Sequence, residues 1–473
     1  MKMIILKRFF LLPIIVLAIV DCSIDSAYSQ SHTKVSTWIT TADRTQLLSP
    51  SITHFKKGLP SGTIIEIDET TTYQTIDGFG YSLTGGSAML IKQKLNSEQQ
   101  STLLKELFQT TEGGIGISYL RISIGASDLD DHVFSYDDLP ATETDPSLSK
   151  FSLGSDRSYL IPILKQALTL NAHLRIMGTP WSPPVWMKTN SHAKGGSLKP
   201  EYYDAYALYF VRYIQEMRKE GIPIDAITIQ NEPENPNNTP SMLMTAAEQN
   251  DFIKNHLGPA FQLASIKTKI ILFDHNCDHP EYPLSILNDK ETKAMVDGTA
   301  FHLYLGDIRA LATVHVLHPD KNIYFTEQWT SGKGDFGDDL CWHIKNVILG
   351  ATRNWSRIAL EWNLAADENY NPHTPEGGCD SCLGALTIGS DVRRNVSYYI
   401  IAHASKFVIP GSLRIRSTVV DQLPNVAFLT PDGKKVVIVL NDSHVSQVFS
   451  FRYKNRIAIN TLPAGAVGTF EWR

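Results

Sequence analysis

Between Gly78 and Phe407 the sequence changes period repeatedly. A short apolar or β-branched run is followed by a stretch with apolar residues at helical spacing, eight times over. Strand runs are read at 73–84, 119–125, 174–182, 226–232, 269–276, 298–305, 322–330 and 357–365. The intervening helices are read at 97–108, 156–170, 200–219, 245–266, 283–295, 308–316, 338–352 and 392–407. A period of 2 giving way to one of 3.6 marks strand then helix. Strict alternation predicts parallel strands, because parallel neighbours need a long crossover. Eight such units over about 330 residues predict a closed (β/α)8 TIM barrel, an α/β fold. The Gly-rich phosphate loop of an open nucleotide-binding sheet is missing after the first strand.

After Ser412 the helical period disappears. LRIRSTV, VAFLT, KKVVIVLND, QVFSFRY and TFEWR read as short strands, with Pro431-Asp432-Gly433 as a turn. That pattern predicts part of a β-sandwich, completed by the strand around Ile64, so the side domain draws on both termini. The expected organisation is a signal peptide at 1–29, an N-terminal sandwich segment at 30–74, the barrel at 75–408 and the C-terminal sandwich at 409–473.

The first residues carry Lys2, Lys7 and Arg8 ahead of an apolar run from Phe9 to Val20, the layout of a secretory signal. Cleavage is expected after Ala27-Tyr28-Ser29, with lipoprotein-type processing at Cys22 as the rival. An exported protein, periplasmic or secreted, follows. No later run is long enough to span a bilayer. The net charge of -6, without basic clusters, excludes nucleic acid as a natural partner. Five cysteines in 473 residues are too few to define the fold. Cys379 and Cys382 in GGCDSCLG read as a loop disulfide, since a lone C-x-x-C is not a zinc site.

In such a barrel, chemistry collects at the carboxyl ends of the strands. The fourth run, AITIQNEPE, delivers Glu232 there, and the seventh, NIYFTEQWT, delivers Glu327. Two facing carboxylates are the working parts of a glycosidase, one protonated to release the leaving oxygen and one ionised. Glu361 at the end of the eighth strand competes for either role, and Asp274, which ends the fifth, competes more weakly. Trp181, Tyr304, Trp329 and Trp362 crowd the same rim, where aromatic faces suit sugar rings. His302 alternates in phase with Tyr304 and reads as a hydrogen-bonding or core residue rather than a metal ligand. His275 and His279 lack zinc spacing and read as structural. No metal and no cofactor is expected.

GFGYSLTGGSA, YLRIS, GTPWSPPVWMKTN, TIQNEP, FHLYL, YFTEQ, LEWNLA and HASKFVIPGS occur in one order along nearly the whole chain. In that order they resemble glycoside hydrolase family 30, which includes the glucosylceramidases and whose fold is a barrel with a sandwich from both termini. The resemblance implies a retaining β-glycosidase with Glu232 as acid/base and Glu327 as nucleophile. It further implies that Asn231 bonds the sugar 2-hydroxyl and that Arg121 supports the nucleophile. Trp181, His302, Tyr304 and Trp362 would line the glycone subsite. The expected function is an exo-acting, glucosylceramidase-like β-glucosidase acting on a β-glucoside or β-glucan, glucosylceramide among them. A β-1,6-glucanase of the same family is the alternative, and a non-catalytic carbohydrate-binding protein the rival class. The chain departs from the glucosylceramidase pattern at Gly85 and in the Cys379 loop, both expected to touch glycone hydroxyl contacts.

Overall fold

The structure, a computed structural model, describes residues 33–111 and 113–473. The leader and Cys22 lie outside the described residues. Among those described, no helix is long and apolar enough to cross a membrane.

The eight expected strands form one closed parallel barrel. They are Gly78–Ser82, Tyr119–Ser123, Arg175–Thr179, Ala226–Thr228, Lys269–Cys277, Gly298–Gly306, Asn322–Glu327 and Ser356–Asn363. The first strand pairs with both the second and the eighth, which closes the ring. Tyr119, Met177, Ala226, Ile271, Ala300, Tyr324, Ile358 and Leu360 fill the interior as one buried cluster. The barrel is therefore packed through its middle, and a ligand can enter only at its ends.

Some boundaries differ from expectation, for local reasons. The fourth strand stops at Thr228, because Ile229 to Pro233 leave the ladder to present polar groups at the mouth. Helix Ser97–Phe108 is capped by Asn96, not Ser97, in a reciprocal capping box with Gln99. The expected helix over 283–295 is two, Glu281–Leu287 and Lys290–Met295, since Asp289 turns its carboxylate onto the backbone of Glu291 and Thr292 and starts a new helix.

The side domain is a nine-stranded sheet that takes strands from both chain ends. Leu413–Ser417 pairs with Thr63–Thr75, which runs well past the expected Ile67. Lys34–Thr40, unforeseen in the polar start of the 30–74 segment, pairs with Val467–Trp472. Phe449 and Phe451 meet Phe470 edge-on, with centroids 5.8 and 4.9 Å apart, although their strands are not neighbours in the sheet. Two layers thus face each other around an aromatic core.

His403, on the last helix Val396–Ser405, fastens the sandwich to the barrel. Its Nδ1 lies 2.9 Å from Thr469 Oγ1 and its Nε2 2.8 Å from Thr40 Oγ1. The Thr469 hydroxyl donates to the His403 carbonyl, so it accepts from Nδ1–H, and Nε2 accepts from Thr40. Burial holds this imidazole neutral, its pKa lowered to about 3. The unfolded chain binds that proton near pH 6.5, so stability drains as pH falls from about 6.5 toward 3. His403→Gln should be less stable than wild type at pH 7 by about 1–3 kcal/mol. The gap should close by pH 4.5 in chemical-denaturation curves, and a constant gap would refute the assignment.

Candidate active site

The mouth of the barrel is organised by Arg121, a fully buried guanidinium at the centre of the second strand. Its Nη1 donates to Glu327 Oε2 at 2.6 Å. Its Nη2 donates to Asn231 Oδ1 at 2.6 Å and Asp274 Oδ2 at 2.9 Å, and Nε to Thr179 Oγ1 at 3.3 Å. Its flat face lies over Trp181 and Trp362, 4.8 and 5.7 Å from the ring centroids. A planar fork with fixed donors can hold several acceptors in one arrangement, as a lysine could not.

Asp274 is the counter-charge. Its Oδ1 accepts from the Thr326 hydroxyl at 2.6 Å and faces His302 Nε2 at 3.1 Å. Its Oδ2 accepts from Arg121 and from the Thr228 hydroxyl at 2.8 Å. Burial would raise its pKa, but Arg121, His302 and Thr326 drive it far below the usual range. With both oxygens occupied and no exposure, Asp274 cannot meet a ligand; the weak competitor is a structural anion.

His302 bridges the acids. Nε2 faces Asp274, and Nδ1 lies 3.1 Å from Glu232 Oε1 and 3.8 Å from Glu327 Oε1. Burial disfavours its charge, yet Glu327, Asp274 and Glu232 together lift its pKa to about 9.

Glu232 is buried, with positive φ (44°) and its N–H on the Asp274 carbonyl at 3.0 Å. Left-handed backbone at a non-glycine residue costs ~1–3 kcal/mol and persists where surrounding contacts impose it. Glu232 Oε2 accepts from Asn235 Nδ2 at 2.7 Å and Asn238 Nδ2 at 3.3 Å. Burial pushes its pKa up, but His302, His275 and Asn235 hold it at about 2. Glu327 accepts from Arg121 and from the Tyr304 hydroxyl at 2.9 Å. Burial raises its pKa; His302 and Arg121 pull it back, while Glu232 and Asp274 push it up again.

Trp181 and Trp362 lie 5.3 Å apart, centroid to centroid, in one cluster with Leu129 and Cys382. Half-buried Trp329 packs at the edge of this cluster. The Trp181 indole N–H is buried without a partner, as a donor awaiting a ligand would be. Cys379 and Cys382 form the expected disulfide.

Glu361 faces the other way. Leu360 and Trp362 point inward, and Glu361 pairs with His343 Nδ1 at 2.8 Å under the outer helices. Strand alternation removes it as a competitor. Gly85 opens helix Gly85–Lys94, and a Cβ there would sit 1.8 Å from Asp130 Oδ1. Packing against Asp130 is reason enough for the glycine.

Two residues belong here that sequence reasoning did not include. Asp128 is buried, and burial with the charges of Glu327 and Glu232 raises its pKa to about 8. Its signal was available, since Gly125-Ala126-Ser127-Asp128 follows the second strand directly. His275, read as structural, has Nδ1 3.8 Å from Glu232 Oε1, whereas His279 pairs with Glu234 near the surface. Ligand atoms of Glu232, His275 and His302 lie within 4.8 Å of one another, close enough to hold a metal ion.

Asp274→Asn should lower the imidazole pKa of His302 in an NMR titration, because it removes the anion beyond Nε2. It should also cost about 3–5 kcal/mol in unfolding free energy by leaving Arg121 short of a charge. An unmoved His302 titration would contradict this electrostatic map.

The family model for the glycosyl hydrolase family 30 TIM-barrel domain matches residues 76–408, and that for the family's beta sandwich domain matches 411–470. The chain is 33% identical over 407 residues to an endo-1,6-beta-D-glucanase of Trichoderma harzianum, covering 81% of each protein. It is 34% identical to the endo-1,6-beta-D-glucanase of Neurospora crassa, covering 85% of this chain and 88% of the relative. It is 28% identical to the mouse lysosomal acid glucosylceramidase, over 87% and 84%. A solved endo-beta1,6-glucanase superposes with a TM-score of 0.87 at 32% identity, covering 93% of this chain and 99% of that one. The chain belongs to glycosyl hydrolase family 30 and is a glycoside hydrolase.

Proposed function

We propose that the protein is a β-1,6-glucanase that cuts within glucan chains with retention of configuration. The observation that carries the linkage is the higher identity to the two endo-1,6-glucanases than to the mouse glucosylceramidase, at similar coverage. This reading replaces the exo-acting, glucosylceramidase-like expectation. Export, read from the leader, suits a polymeric substrate that cannot enter a cell.

The mechanism follows from the two mouth carboxylates. The His302 Nδ1 distances cap the separation of Glu232 Oε1 and Glu327 Oε1 at about 7 Å. Retaining enzymes hold the carboxyls ~5–5.5 Å apart and inverting ones ~6.5–9.5 Å, so this ceiling favours retention. Glu327, supported by Arg121 and Tyr304, attacks the anomeric carbon and forms a glycosyl-enzyme. Glu232 protonates the leaving oxygen and then, as base, deprotonates the incoming water. The free-enzyme shifts, taken one group at a time, place the proton on His302 rather than on Glu232. The hydrogen bonds give further support to these roles. Glu327 receives donors at both oxygens and works as the anion, whereas a proton on the Nδ1–Oε1 line is one short transfer from Glu232. A substrate that displaces water weakens the charged pair and favours the neutral one, with the proton on Glu232.

Three carboxylates (Asp274, Glu232 and Glu327) face two cations, Arg121 and protonated His302. The surplus negative charge suits an oxocarbenium-like transition state. Asn231, whose Oδ1 is held by Arg121, offers its amide nitrogen to the sugar. Trp181, Trp362 and Asp128 surround the glycone, with Asp128 accepting from its hydroxyls.

Assayed side by side, β-1,6-glucan should be degraded to oligosaccharides far faster than glucosylceramide or β-1,4-xylan, and EDTA should change nothing. Preference for glucosylceramide would reject the linkage. Glu327→Ala should lose about 10⁴-fold or more in kcat, and azide should rescue it to an α-glycosyl azide. A β-azide from that variant would reverse the roles of the two acids.

A further inference from the structure

The fifth barrel strand ends in a distortion. Phe273 and Asp274 both have positive φ, 70° and 67°, and the pairing with the sixth strand shifts register between Phe273 and His275. A bulge of this kind re-aims the side chains that follow it, and its strained residues persist only where the surrounding contacts impose them. Part of the return is Asp274, delivered to Arg121 and His302. The next residue, His275, receives no such contact.

The His275 ring is 8% exposed, and its buried Nδ1 has no hydrogen-bond partner. The nearest acceptor, Glu232 Oε1, is 3.8 Å away, beyond hydrogen-bond reach. The contrast with two other buried histidines is sharp: His343 is bonded to Glu361, and His403 to Thr40 and Thr469. A buried polar nitrogen left unpaired is costly, so a group other than the protein should complete it.

The surroundings say which group. Among the described residues the carboxylate within 4 Å of the His275 ring is that of Glu232, whereas Glu327 is reached by His302 from the sixth strand. His275 therefore stands beside the proton donor rather than beside the nucleophile. In a double displacement, the leaving oxygen departs opposite the attacking carboxylate and takes its proton from Glu232. Whatever is attached to that oxygen extends past Glu232, toward His275.

We propose that His275 is a leaving-group contact, its ring nitrogens hydrogen-bonding hydroxyls of the sugar unit that is released. The inference rests on the assignment of Glu232 as proton donor. It gives the strained bulge a purpose: one turn of backbone supplies a counter-ion on one side and a specificity contact on the other.

Two substrates with the same glycone separate this role from a purely electrostatic one. β-1,6-linked glucotriose and the methyl β-glycoside of β-1,6-linked glucobiose both release glucobiose and both need the proton from Glu232. Only the first has a sugar as leaving group. His275→Ala and His275→Phe, the second filling the ring's volume, should lower the ratio of kcat/KM for the triose over the methyl glycoside about 10-fold or more. His275→Gln, which keeps a polar group there, should restore part of the ratio. Melting temperatures near wild type confirm folding. An unchanged ratio overturns the proposal, as do equal falls on both substrates with a displaced pH profile, which would put His275 on the proton of Glu232 instead. Wild-type protein idle on both substrates overturns the reading of function and the inference with it.

Discussion

The Arg121–Asp274 contact holds the mouth of this barrel together. Neither group touches solvent, and both are bonded in several directions. A buried ion pair is poor as a source of stability, because desolvation consumes most of the Coulomb gain. Its value here is positional. Arg121 fixes Glu327 and Asn231, Asp274 fixes His302, and His302 reaches Glu232. Residues from the second, fifth, sixth and seventh strands, together with the loop after the fourth, are thus locked into one arrangement before any substrate arrives. Preorganisation of this sort is what allows charges in a dry site to act on a transition state without first reorganising.

The same network distributes protons. A histidine between two carboxylates, with a third beyond it, cannot be assigned a proton independently of its neighbours. Burial alone would neutralise every member, and Arg121 prevents that for Asp274 and moderates it for Glu327. In the proposed mechanism a proton passes between His302 and Glu232 along their 3.1 Å contact.

Much of this was legible in the sequence, and the reasons for the failures are physical. Period changes identified all eight barrel strands because each strand is buried on both faces and reads as an apolar run. The acids at the ends of strands four and seven were found by the same logic. Glu361 misled because a strand's last acid points in or out by parity, which a one-residue ambiguity in phase conceals. Asp128 was passed over because it lies in the following loop, five residues beyond the last strand residue Ser123. His275 was dismissed for want of a metal spacing, when its relevance comes from a backbone bulge that no periodicity reveals. The strand at Lys34–Thr40 hid in a Ser/Thr-rich segment, since Thr37 and Thr40 are buried along with Val35 and its buried positions do not read as apolar. Gly85 was read through the sugar site alone, because its close approach to Asp130 leaves no mark in the sequence pattern.

The account turns on Glu327 as the residue that becomes covalently attached to sugar, with Glu232 as its proton-handling partner. A 2-deoxy-2-fluoro β-glucosyl fluoride slows release of the intermediate more than its formation, so the enzyme stalls with sugar attached. Peptide mass spectrometry of the inactivated protein should find one fluoroglucosyl group, on the peptide containing Glu327. An adduct on Glu232 or Asp128 would contradict the assignment, and turnover to α-configured sugar without any adduct would contradict the double displacement itself.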